Sequence, residues 1–325
     1  MPSILDRIFA AKRAELAEQR ERVSLDAIKT AALSAPRPRD FVAALHHHKP
    51  AIIAEVKRAS PSKGDILPGL DPAAVARDYQ AGGAAVVSVL TDRHFKGSLA
   101  DLSAVRAAVD LPILRKDFVF DPYQLYETRA AGADCVLLIA AMLQPDQLHA
   151  LAALARELEL AALVEVHNRE EFSRAGELGA ELIGINNRDL HTFRTDLATT
   201  SELLRGYNGG ALIVSESGIE MPEHIRQLYA GGARAFLIGE SLLRGGTPRV
   251  SLTALVNCFG DKSISPSSVA KRESKRPLAR SLETTEPAQR SETEPRPCGQ
   301  PAEALSVVEG DERGQGEGSE GEGSE

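Results

Sequence analysis

The chain has 325 residues, enough for one large domain or two small ones, and its 43% hydrophobic content can supply a substantial core. No apolar run approaches the roughly 20 residues that a membrane span needs, and the scattered Cys135, Cys258 and Cys298 give neither a disulfide framework nor metal-ligand spacing. The net charge of −8 is concentrated at one end: between Glu309 and Glu325, acids against the lone Arg313 account for about −6, so the rest is near balance and offers no basic face for nucleic acid.

Taken in chain order, charge enters at Asp6 and Arg7 before a hydrophobic run can form. The N-terminus therefore does not read as a secretory signal, and a cytoplasmic location is expected. From Ser3 to Arg22, apolar Ile4, Leu5, Ile8 and Phe9 lead into Ala-rich spacing up to Leu16, with charges elsewhere, which predicts an amphipathic helix. Ser24 suits the N-cap of a second helix ending before Pro36 and Pro38. His46-His47-His48 cannot all face one ion and read as solvated. Residues 1–48 thus form a helical extension.

Strands are expected at Ala51–Val56, Ala85–Leu90, Pro112–Lys116, Asp134–Ile139, Ala161–Val166, Leu182–Ile185, Leu212–Ser215 and Ala235–Gly239. Most are continuous apolar runs, as in parallel strands covered on both faces. Cys135 within one of them reads as a small core residue. A short motif recurs as Ala81-Gly82-Gly83-Ala84, Ala131-Gly132-Ala133, Leu178-Gly179-Ala180 and Ala230-Gly231-Gly232-Ala233. Each copy follows a helical pattern and precedes an apolar run, as a glycine at a helix C′ position would. The copies are about 50 residues apart, the length of two βα units, so four copies count out eight strands. The fold class is therefore α/β, a (β/α)8 barrel over residues 49–257. A doubly wound sheet should carry a Gly-rich phosphate loop after its first strand, and Lys57-Arg58-Ala59-Ser60-Pro61 is not one. From Gly260 onward the chain is Ser, Pro, Glu, Arg and Gly without apolar periodicity, so residues 258–325 are expected to be a disordered, functionally silent tail.

Several apolar stretches end in ionisable residues: Glu55 and Lys57, Lys116, Glu165 and Glu216. Charge is costly inside a sheet, so its recurrence at strand ends predicts one site assembled at the C-terminal rim of the barrel.

The segments Ile53-Ala54-Glu55-Val56-Lys57-Arg58-Ala59-Ser60-Pro61-Ser62-Lys63-Gly64, Leu114-Arg115-Lys116-Asp117-Phe118, Leu163-Val164-Glu165-Val166-His167, Gly184-Ile185-Asn186-Asn187-Arg188-Asp189-Leu190, Ser215-Glu216-Ser217-Gly218-Ile219 and Leu237-Ile238-Gly239-Glu240-Ser241-Leu242 together closely resemble the indole-3-glycerol phosphate synthase family of tryptophan biosynthesis. The resemblance runs from the N-terminal helices to about Leu255. It implies a cofactor-free carboxy-lyase without a metal. That enzyme converts 1-(2-carboxyphenylamino)-1-deoxyribulose 5-phosphate to indole-3-glycerol phosphate, carbon dioxide and water.

By that resemblance Lys116 is the general acid of ring closure, Glu165 the base of dehydration, and Lys57 a substrate contact and second acid. Glu55, Asn186, Glu216 and Ser217 would orient the substrate, with Glu55 and Glu216 alternatively serving to hold the lysines. Phe118 would wall the aromatic ring, or be plain core. Gly218, Gly239 and the backbone of Glu240 would cradle the phosphate, where barrels commonly bind one, with Arg188 as a guanidinium contact. Ser60 would close the rim, or form an ordinary turn. Lys116 is expected to have its pKa lowered by neighbouring cations, with an Asp117 pairing as the plain alternative. His167 is expected at the rim or as a helix N-cap.

The Gly245-Gly246-Thr247-Pro248 turn is looser than the family's pattern. A monomer is expected, with a weak homodimer as the alternative, and a small phosphorylated substrate as the only partner class, without nucleic acid or membrane. Two rivals remain at this level: a Schiff-base aldolase with Lys116 as nucleophile, and a phosphate-binding scaffold.

Overall fold

The computed structural model describes residues 4–60, 64–67, 69–190, 192–244 and 246–260. Eight parallel strands close on themselves: β1 (Ala51–Val56), β2 (Val86–Leu90), β3 (Ile113–Lys116), β4 (Cys135–Ile139), β5 (Ala161–Val166), β6 (Leu182–Asn186), β7 (Leu212–Glu216) and β8 (Ala235–Ile238), with β8 pairing back onto β1. Each strand end lies within one residue of its expected position. The fold is a (β/α)8 barrel, as the eight apolar runs and the glycine repeat required.

Alternation along the strands sorts the core into two bodies. Ala51 and Ile53 of β1 face inward with Leu114, Leu137, Leu163 and Leu237, whereas Ile52, Ala54 and Val56 face the surrounding helices. The barrel floor is closed by α3 (Phe41–His46), whose Phe41 and Leu45 join the inward cluster. This short helix follows α1 (Ile4–Arg22) and α2 (Leu25–Ser34), which lie where the sequence placed them. Ser24 caps α2 by accepting a 3.2 Å hydrogen bond from the Ala27 N–H. The third helix was not foreseen because six residues are too few to display a helical period. Its own cap is Asp40, which accepts from the Ala43 N–H at 2.8 Å.

The glycine repeat works as a helix stop before alternate strands. Gly83, after α4 (Pro72–Gly82), has φ 90, and Gly232, after the helix Pro222–Ala230, has φ 115. A side chain is disfavoured in that left-handed region, so glycine there lets the chain turn sharply back into the sheet. At the far end, the helix Pro248–Val256 starts after Thr247, which makes no side-chain cap, and Gly245 lies outside the described residues. Packing continues slightly past the expected boundary at 257: Cys258 is buried, and the Phe259 ring meets Tyr229 edge-on at 4.8 Å. The expected tail from 261 to 325 lies outside the described residues. Among the described residues no helix is long and apolar enough to cross a membrane, and no group of His, Cys, Asp and Glu is placed to hold a metal ion.

Candidate active site

The alternation that builds the barrel core also builds the site. Two residues beyond each inward apolar residue near the C-terminal rim comes the next inward position. After Ile53 it is Glu55, after Leu114 Lys116, after Leu163 Glu165, after Val214 Glu216, and after Leu237 Gly239. Asn186 occupies the same row on β6, directly paired with Glu216 across the ladder. Six strands therefore deliver their ends to one ring. Above that ring opens a cavity of ≈ 360 Å³, lined by Glu55, Lys57, Lys116, Glu165, Asn186 and Glu216 among others, within the size range of small-ligand sites.

Lys116 is the hub. Its ammonium donates to Glu165 Oε2 at 2.6 Å and lies 3.1 Å from Glu216 Oε2. Burial, the largest single influence, pushes its pKa down, but the combined pull of Glu165, Glu216 and Glu55 outweighs burial and holds it above the ordinary lysine value. This corrects the expectation of a lowered pKa: carboxylates, not cations, surround the ammonium. The plain alternative of a Lys116–Asp117 pair is not formed either. Asp117 is one step out of phase and points to the helix side, where it meets Arg115 at 3.0 Å and Lys12 at 2.8 Å.

The two carboxylates on Lys116 are driven apart. Burial raises both, yet Lys116 and His167 together hold Glu165 well below the usual carboxylate range. Glu216 is pushed up to about 7 by burial, with the charge of Glu165 adding to the rise and Lys116 opposing it. Its Oε1 is buried without a hydrogen-bond partner among the described residues. Glu165 Oε1 also accepts from Asn186 Nδ2 at 3.2 Å. Unequal partners thus push two neighbouring carboxyl groups in opposite directions.

Room for these carboxylates comes from two missing side chains. A Cβ on Gly184 would sit 2.1 Å from Glu216 Oε1, and one on Gly239 would sit 2.5 Å from Glu55 Oε2. Gly239 is thus needed beside Glu55 as well as at the expected phosphate cradle.

The remaining expected residues that are described line the same opening. Lys57 lies 3.4 Å from Glu55 Oε2, with its ammonium 5.5 Å from the centre of the Phe95 ring. Phe118 lines the cavity with its ring 6.4 Å from that of Phe95, which favours the wall over plain core. Ser217 and Gly218 turn the chain after β7 with φ 65 and 80. Positive φ is strained for a serine, and Asn187 pins the turn by donating to the Glu216 and Ser217 carbonyls at 2.9 and 3.1 Å. Arg188, Gly239 and Glu240 also line the cavity. The Glu240 carboxylate pairs with Arg244 at 3.0 Å within the short helix Glu240–Arg244. The side chain of Ser60 lies outside the described residues.

Sequence reasoning missed two contributors, Phe95 and Ile8, and left His167 open between the rim and a helix cap. His167 is not the cap of its helix, a role that Asn168 takes by accepting from the Glu171 N–H at 3.0 Å. Instead its Nε2 lies 3.3 Å from Glu165 Oε1, off hydrogen-bond alignment, and its Nδ1 lies 3.1 Å from Glu171 Oε2. Burial lowers the imidazole pKa, but both carboxylates overcome this and raise it to about 9. The two-residue step from Glu165 did signal the shared face. Phe95 comes from a short turn after β2 (Arg93–Phe95), and Ile8 reaches the cavity from α1; no local pattern announces either.

Comparison with known proteins agrees with this geometry. The family model described as indole-3-glycerol phosphate synthase matches residues 5–255. Proteins named indole-3-glycerol phosphate synthase from Roseiflexus sp. (strain RS-1) and Roseiflexus castenholzii are 50% and 51% identical over 253 residues, covering 75% of this chain and 94% of each relative. One from Chromobacterium violaceum is 49% identical over 260 residues, covering 78% of this chain and 98% of the relative. Chain, barrel and rim together place this protein in the indole-3-glycerol phosphate synthase family, the carboxy-lyases that form the indole ring in tryptophan biosynthesis.

Proposed function

We propose that the rim carries out ring closure, decarboxylation and dehydration of 1-(2-carboxyphenylamino)-1-deoxyribulose 5-phosphate with its own side chains dividing the proton transfers. The observation that carries this reading is the Lys116 ammonium, partly buried and held between Glu165 and Glu216 at the floor of the cavity. As the aromatic ring attacks the keto carbon, negative charge develops on the carbonyl oxygen. A positioned ammonium stabilises that charge and delivers the proton. Loss of carbon dioxide then restores the aromatic ring. Dehydration needs a base for the proton on the new ring and an acid for the departing hydroxyl. Glu165, held ionised, suits the first role, and Lys57, on the Glu55 side of the cavity, suits the second.

Glu55, Asn186, Glu216 and Ser217 would orient the hydroxyls and the anthranilate carboxylate. Phe118 with Phe95 would flank the aromatic ring. The phosphate would lie against the Gly218 turn and the Gly239–Glu240 backbone, with Arg188 supplying positive charge. Pairing with Arg244 occupies the Glu240 carboxylate, so its backbone can serve the phosphate. The reading also includes a cytoplasmic monomer acting without a cofactor, and light scattering tests the monomer.

The aldolase alternative requires a neutral Lys116 amine, whereas the raised pKa favours the ammonium. Borohydride added with substrate decides between them by intact mass. The reading predicts no covalent adduct and product lacking carbon dioxide and water; a reduced adduct on Lys116 would overturn it.

A further inference from the structure

The catalytic rim is braced by a residue that no barrel strand carries. Lys12 sits in the middle of α1, yet is only 5% exposed. Its ammonium lies 2.8 Å from Asp117 Oδ1, 3.3 Å from Asp92 Oδ2 and 3.0 Å from Glu15 Oε2.

Each distant partner shapes a segment that enters the site. Asp117 directly follows Lys116. Its Oδ1 also accepts from the Phe118 N–H at 2.8 Å, while its Oδ2 accepts from Thr91 Oγ1 at 2.6 Å and Arg115 at 3.0 Å. Asp92 follows β2, and its Oδ1 accepts from the His94 N–H at 2.8 Å, forming the turn that carries Phe95 over Lys57. Asp92 Oδ2 is buried and makes no hydrogen bond among the described residues, so the charge of Lys12 is its compensation. One turn before Lys12 on the same helix face, Ile8 lines the cavity.

We infer that Lys12 is a positioning residue: by joining the segments after β2 and β3 to α1, it sets where Phe95, Lys116 and Phe118 stand relative to the substrate. It acts through Asp92 and Asp117 and touches no reacting atom. The inference rests on the reading of Lys116 as the acid. Without the ammonium, Asp117 keeps Arg115 but Asp92 keeps only the His94 ring at 2.9 Å, and the positive charge shared by two buried carboxylates is lost, which is costlier than the intact set. The other charges around them are Glu15, with Arg93 3.7 Å beyond it, and His94, Arg115 and Glu127. None replaces Lys12 between the two aspartates. Relief comes from the segment after β2 moving outward.

The test compares kcat and KM of wild type, Lys12→Met and Lys12→Met/Asp92→Asn. Lys12→Met is expected to lose kcat/KM by on the order of 10²-fold, the scale of misplacing reactive groups by about an ångström. Adding Asp92→Asn, which removes the charge that Lys12 compensates, should recover most of the activity. Lys12→Gln, which keeps an N–H donor in place, repeats the comparison should the methionine variant not fold. Unchanged kinetics, or a loss not relieved by Asp92→Asn, would overturn the inference. Wild-type turnover in the same assay separates the two claims. If wild type is inactive, the functional reading falls and the role of Lys12 falls with it; otherwise the Lys12 comparison alone decides.

Discussion

Glu165 and Glu216 share one ammonium, yet burial and unequal partners leave the first ionised and the second with a pKa of about 7. A base must be ionised to act, so Glu165→Gln is expected to lower kcat by about 10²–10⁴ while leaving the circular-dichroism spectrum unchanged. His167 gives a pH-dependent stability signature. Its pKa rises from the ordinary 6.5 to about 9 in the folded chain, so protonation favours the fold. That stabilisation is fully present below about pH 6.5 and is lost as pH rises through about 9. The stability difference between wild type and His167→Asn should therefore shrink across this range in urea titrations, by on the order of 3 kcal/mol at most. At this scale the sequence revealed which residues meet, because a period of two carries each inward row to its charged end. It did not reveal the protonation states. Those depend on neighbours from other strands, and the cations expected around Lys116 proved to be carboxylates.

Strands, helices and turns divide by rim. At the N-terminal side, α3 seals the barrel with Phe41 and Leu45, far from the charged ring and close to the inward aliphatic cluster. Phe41→Ala should cost about 3–5 kcal/mol through the cavity it leaves, read as a lower urea midpoint, with the pH profile of turnover unaltered. At the C-terminal side, Gly184 leaves space for a carboxylate. Gly184→Ala would drive a Cβ to 2.1 Å from Glu216 Oε1, so it should depress turnover by displacing Glu216, and Glu216→Gln should not restore it. The eight strands were legible because each is an apolar run bounded by a glycine stop or a charged end. The short α3 and the approach of α1 to the cavity were not. One lacks a full helical period, and the other depends on contacts such as Lys12 with Asp117, distant in sequence.

Across the whole molecule, the family match covers residues 5–255, and the described packing extends through Phe259. A chain ending at Gly260 should therefore retain wild-type kcat and KM, measured side by side with the full chain; a large loss would assign the acidic segment a role in catalysis. The central claim is that one ring of strand ends forms an indole-making site organised on Lys116. Its most direct test adds 1-(2-carboxyphenylamino)-1-deoxyribulose 5-phosphate to the purified chain and follows indole fluorescence. The account predicts steady product formation by wild type and a fall of about 10²–10⁴ in Lys116→Met. Wild type that makes no indole product, or a Lys116→Met variant that turns over normally, would contradict it.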